Sequence, residues 1–174
     1  DVLLSRPVSR TAVVISYWLG FAAVATCLVI PAAVIVYALG LLNVSGFMLW
    51  ALSLLFESYL VVSIALFAAL TAASGVGTVL SALAIYAVSR MMGFFILTLK
   101  SGLLFHTQEL NIGAHWVLTA ISTIVPRLDF YAKSNWLIYG AKSYEEVSLF
   151  LLQSAIFIPL LVIAAVIDFK RKQF

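Results

Sequence analysis

From Thr11 to Leu42 the chain carries no charged residue, and a second uncharged run extends from Ser58 to Ser89. Each is longer than the roughly 20 apolar residues that cross a bilayer. A run of that kind leaves one folding solution, a helix in lipid, because every backbone N–H and C=O must be satisfied within the segment. The composition agrees: 64% of residues are hydrophobic and 10% charged, with a mean hydropathy of +1.16, against about 45–50% and about 25% in globular chains. The expected fold is therefore all-α, a polytopic membrane helix bundle with the lipid bilayer as its solvent.

Four spans are predicted. The first covers 11–41, with Pro31 inside it and small residues (Gly20, Ala22, Ala23, Ala25, Ala32, Ala33) that would let another helix approach. Asn43-Val-Ser-Gly46 is read as a turn. The second span covers 47–73 and contains Glu57. Ser74-Gly75-Val76-Gly77 is read as a tight turn, the third span as 78–99 with Arg90 near its middle, and the fourth as 147–167 with Pro159 as a second kink. The tail, 168–174, holds Lys170-Arg171-Lys172.

The charge of +3 needs no nucleic acid. Three basic residues lie in the tail and two, Arg6 and Arg10, in an N-terminal elbow, 1–10. Four crossings put both ends on one side, and the density of Lys and Arg there predicts that both are cytoplasmic. Arg6, Arg10, Lys170, Arg171 and Lys172 sit close to the spans, whereas Lys100, Arg127, Lys133 and Lys142 are spread through the long connection 100–146. In the elbow, Leu3, Leu4 and Val8 would share one apolar edge of a short helix, with Ser5, Arg6, Ser9 and Arg10 on the other faces and Pro7 interrupting the backbone bonding.

The connection 100–146 is more than a linker. In His115–Val125 the apolar residues Trp116, Val117, Ala120, Ile121, Ile124 and Val125 have the spacing of an amphipathic helix, ended by Pro126. Leu128, Phe130, Tyr131, Trp136, Leu137, Ile138 and Tyr139 continue an aromatic, half-polar stretch. The expectation is an outer cap that lies at the interface or re-enters the membrane.

Two intramembrane charges stand out. A charge at mid-membrane costs roughly 2.5–3.5 kcal/mol on insertion scales, so Arg90 and Glu57 should face protein or water. Arg90 is read as a polar contact that lines a path or bonds a neighbouring subunit, and Glu57 as a proton or cation site. The alternatives are an interhelical pair between them or a place at an interface, reached by snorkelling in the case of Arg90. Cys27 is single, so it cannot pair within the chain, and its apolar surroundings predict a small buried residue. His106 and His115 flank the cap outside the apolar runs, and no HExxH, CxxC or CxxCH occurs, so no cofactor or metal is expected in this chain. Glu109, Glu145 and Glu146 are expected at helix starts. Gly75-Val-Gly77 lacks the strand, third Gly and Lys of a phosphate loop, so any ATP hydrolysis must come from another subunit.

The apolar pair followed by Ser-Arg-Pro-Val-Ser-Arg, then Tyr17, Trp18 and Gly20, together with the order of spans, resembles the ABC-2 type of ABC-transporter permease. The resemblance implies that Leu3, Leu4, Arg6, Pro7, Val8 and Arg10 form a coupling helix. An ATPase subunit carrying ATP would dock there, and a second permease copy or paralogue would complete the transporter. It implies an exporter in a bacterial or archaeal cytoplasmic membrane, and short re-entrant or interfacial helices before the last span. Pro126–Phe130 is similar to a segment of the subgroup linked to copper-enzyme maturation. The chain begins with Asp and has no signal-like start, which suggests the later part of a longer permease. The alternatives are a non-transporting membrane anchor or assembly subunit, and an intramembrane enzyme or redox subunit, for which neither a catalytic pair nor haem ligands are found.

Overall fold

The computed structural model describes residues 9–40, 43–72, 74–101, 116–117, 120–123, 125–140 and 144–171. Its helices are α1 (Arg10–Ala38), α2 (Val44–Thr71), α3 (Gly75–Lys100), the short α4 (Asn135–Tyr139) and α5 (Tyr144–Arg171), with a 3-10 turn at Leu128–Phe130. No strand occurs among the described residues. α1, α2, α3 and α5 are long and apolar enough to cross a membrane. The protein is an all-α integral membrane helix bundle.

Capping residues set where these helices begin, and they correct two readings of the sequence. Asn43-Val-Ser-Gly46 is not a free turn. Asn43 is the N-cap of α2, and its side-chain oxygen accepts from the backbone N–H groups of Ser45 (3.1 Å) and Gly46 (3.3 Å). Asn is among the strongest N-cap residues because a short side-chain acceptor satisfies the orphan donors of the first turn. Ser74 does the same for α3. Its hydroxyl accepts from the Gly77 N–H at 3.1 Å, so Gly75-Val-Gly77 is the first turn of a helix rather than a link between two. Ser9 caps α1 through the Ala12 N–H at 3.2 Å, which makes Arg10 the first helical residue. Glu145 and Glu146 occupy the first turn of α5 and Lys170 and Arg171 its last, the arrangement the helix macrodipole favours.

α2 is the central helix, and α1, α3 and α5 all pack on it. Leu60, Ile64, Leu128, Tyr131, Trp136 and Phe150 form one buried cluster; Val14, Leu66 and Ala165 form another, nearer the α2 C-terminus. Hydrogen bonds tie α1 to α2: the Trp18 indole N–H donates to the Ser63 hydroxyl (2.8 Å), and the Thr26 and Tyr59 hydroxyls are paired at 2.9 Å. Such bonds add to van der Waals packing where lipid supplies no hydrophobic drive between helices. Arg10 Nη1 donates to the carbonyls of Lys170 (3.3 Å) and Phe169 (3.5 Å) at the end of α5. The start of the first span and the end of the last therefore lie together, on the one side that an even number of crossings gives them.

Pro31 and Pro159 both lie within helices that continue through them. Cys27 is exposed on α1, not buried. α1 makes its contacts through positions such as Val14, Trp18 and Ala22, and Cys27 falls outside that stripe, on apolar surface suited to lipid.

Candidate functional site

Glu57 lies at the middle of α2, about 20 Å from either end of the helix at 1.5 Å per residue. Arg90 lies about 22 Å from the start of α3. The two meet: Arg90 Nη1 donates to Glu57 Oε1 at 3.1 Å. Glu57 is buried, whereas the Arg90 side chain is 40% exposed. Of the sequence readings, the interhelical pair is the one this geometry matches, and the same arginine makes a second contact that the sequence did not announce. Nη1 also donates to the backbone carbonyl of Leu128 at 2.8 Å.

That second bond shows how deep the connection between α3 and α5 goes. Leu137 O accepts from the Asn43 N–H at 3.0 Å, at the end of α2. Ala132 N–H donates to the Ser53 hydroxyl at 3.1 Å, further along, and Leu128 meets the Glu57–Arg90 pair at mid-helix. Between Leu128 and Leu137 the chain therefore climbs about 20 Å along α2. The cap is a re-entrant segment, reaching the middle of the bundle and returning.

Irregular backbone at such depth survives only when protein or water satisfies its polar groups. Here side chains do so. Arg90 takes the Leu128 carbonyl and Ser53 takes the Ala132 N–H. The Tyr131 hydroxyl lies against the Ser154 hydroxyl (2.8 Å) and donates to the Phe150 carbonyl (3.1 Å). The Trp136 indole N–H donates to Glu146 Oε2 at 3.0 Å, and Lys133 Nζ lies 3.5 Å from Glu146 Oε1. Arg127 grips Asp129 with two parallel bonds, Nε to Oδ1 (3.2 Å) and Nη2 to Oδ2 (2.7 Å), while its guanidinium stacks 4.1 Å above the Phe130 ring. Ala132 has φ of 46°, a left-handed conformation that costs a non-glycine residue energy and is held in place by the Ser53 bond.

Two glycines make room for the segment. At Gly46 an added Cβ would overlap the Trp136 carbonyl oxygen and come within 2.9 Å of the Gly140 Cα. At Gly93, three residues beyond Arg90, it would overlap the Asp129 carboxylate, with Cγ at 2.8 Å. Gly93→Ala should push Asp129 off α3 and cost about 1–2 kcal/mol. Thermal unfolding in detergent checks this, and an unchanged midpoint would show that Asp129 does not pack there.

Leu3, Leu4, Arg6, Pro7 and Val8 lie outside the described residues, as do His106, Glu109 and His115. Arg10 is placed, engaged with the end of α5. Among the described residues no three His, Cys, Asp or Glu side chains cluster as a metal site would require. A sequence signal for the contacts among Ser53, Glu57, Arg90 and the re-entrant segment existed in part. Ser53 and Glu57 are four apart on α2, and Arg90 and Gly93 three apart on α3, so each helix shows one polar-and-small edge. Nothing in the sequence marks the Leu128 carbonyl, because every residue has one.

No protein-family model matches the chain, and neither a curated protein nor a solved structure matches it.

Proposed function

We propose that the chain is the transmembrane permease subunit of an ABC-2-like ABC transporter, acting in export and driven by a separate ATPase subunit. Both described ends of the bundle then face the cytoplasm of a bacterial or archaeal cell, where the ATPase docks on Leu3–Arg10. A second permease copy or a related chain completes the path. The observation that supports this reading is the re-entrant segment placed before the last span, one of the two arrangements that the resemblance implies. The bonding of Arg10 to the end of α5 adds a mechanical consequence: a push on the elbow reaches the first and last spans together.

The docking role belongs to Arg6 more than to Arg10, because Arg10 is already bonded within the bundle. Arg6→Glu should abolish stimulation of the partner ATPase while leaving the unfolding temperature unchanged. Arg10→Glu should instead lower that temperature, since it sets a carboxylate against the carbonyl end of α5. Purification from native membranes followed by mass spectrometry tests the reading: a stoichiometric Walker-motif ATPase, lost with Arg6→Glu, supports it. A clean complex without an ATPase favours the second reading, a membrane anchor or assembly subunit. The closed Glu57–Arg90 contact is the observation on that side, since an ion pair that fastens the bundle requires no path.

A further inference from the structure

Arg90 is only half used. Both of its hydrogen bonds come from Nη1, and neither Nε nor Nη2 has an acceptor among the described residues. These two nitrogens form the side-on edge of the guanidinium, with parallel N–H donors. With 40% of the side chain exposed, that edge lies at mid-span on the outer surface of α3, beside the exposed apolar residues Leu83, Met91 and Phe94. Hydrocarbon cannot cover it, because unpaired donors in an apolar medium cost several kcal/mol.

We propose that the free edge of Arg90 binds the anionic head group of a membrane amphiphile, giving a head group that crosses the apolar interior a polar station halfway. The edge only donates, so its occupant must accept. Two oxygens at fork spacing are what carboxylates and phosphates offer, and side-on arginine edges take them bidentately. The molecule contains the filled version of the same contact: Arg127 grips the Asp129 carboxylate with its Nε and Nη2. Glu57 neutralises the charge of Arg90 without occupying the edge, so the site selects by hydrogen-bond geometry, and the apolar α3 surface receives the tail. As a step in transport the station rests on the permease reading; as a binding site it does not.

The test uses the purified chain in phosphatidylcholine vesicles carrying a small admixture of either oleate or dioleoyl phosphatidic acid, with retained lipid measured by native mass spectrometry. Basic residues near the helix ends bind anionic lipid equally in all variants, so the reading is the difference that depends on Arg90. Arg90→Lys keeps a cation for Glu57 and Leu128 but has no fork. Ala87→Phe leaves Arg90 intact and shields its edge, since a helical side chain leans over the turn before its own Cα and Ala87 is exposed there. Both variants should lose roughly tenfold or more of the preference for the anionic lipid over phosphatidylcholine. Loss with oleate alone assigns a carboxylate, loss with phosphatidic acid alone a phosphate, and loss with both the shared chemistry. If Arg90→Lys does not fold, Ala87→Phe gives the answer by itself. Retention equal to the wild type in the folded variants overturns the proposal and leaves water on the edge. No ATPase is present in this assay, so a preference lost with Arg90 in a chain that purifies without an ATPase keeps the site and removes the transporter. An ATPase partner without any preference does the reverse.

Discussion

Arg90→Met should be the most damaging single substitution in the described structure, costing about 3 kcal/mol or more. It leaves two acceptors without their donor, the buried Glu57 carboxylate and the Leu128 carbonyl. Glu57→Leu should cost less, about 1–2 kcal/mol, because the orphaned guanidinium is half-exposed and keeps its bond to Leu128. The asymmetry has two sources, the deeper burial of Glu57 and the second bond of Arg90 to the Leu128 carbonyl. Combining the two substitutions should cost less than their sum, since the double variant removes the uncompensated buried carboxylate. Thermal or denaturant unfolding of the four proteins of this cycle in one detergent measures all three expectations. Equal costs for the two single variants would contradict both the penalty of orphaning the buried Glu57 carboxylate and a contribution from the Leu128 bond.

Gly46→Ala should have the next largest effect, about 2–3 kcal/mol. The added methyl meets backbone, the Trp136 carbonyl and Gly140, and backbone cannot swing aside as a side chain does. Relief requires moving α4 away from α2. That move would break the bond from the Asn43 N–H to the Leu137 carbonyl and disturb Trp136, which is fully packed in the cluster with Phe150 and Leu60. The variant should therefore show a lower unfolding midpoint together with faster amide exchange over 134–140. A drop in stability with unchanged exchange there would place the strain in α2 itself.

The spans were legible because the bilayer admits so few solutions. Uncharged runs of this length fix helices, and the even count of crossings fixes that the start of α1 and the end of α5 share one side; that they are neighbours there is seen only in the bond from Arg10 to Lys170. Helix starts were misplaced by three residues at Asn43 and Ser74. Glycines that read as turns turned out to be first-turn residues behind a capping side chain. The apolar environment of Cys27 was visible, but not which side of α1 it occupies, because a helix bathed in lipid has little amphipathic pattern to read. The two mid-span charges were found, and their meeting was one of the options the residues allowed. What joins them to the re-entrant segment is a main-chain carbonyl and a hydroxyl, at Leu128 and Ser53, and composition carries no trace of such partners. The depth of that segment follows from tertiary contacts alone.

Disulfide trapping of that depth is the most direct test of the account. With Cys27 replaced by Ala to remove the native thiol, Ser53→Cys and Ala132→Cys are introduced together and oxidised in native membranes. The Ala132 N–H lies 3.1 Å from the Ser53 hydroxyl, so the pair should form an intrachain link, seen as a cross-linked peptide by mass spectrometry. Ser53→Cys with Tyr139→Cys, a position exposed on α4 nearer the end of α2, should not. A link at 53–132 and none at 53–139 is the predicted result. No link at 53–132 in a folded protein, or equal linking at both positions, would mean that the segment stays at the membrane surface and that the bond from Arg90 to the Leu128 carbonyl does not exist.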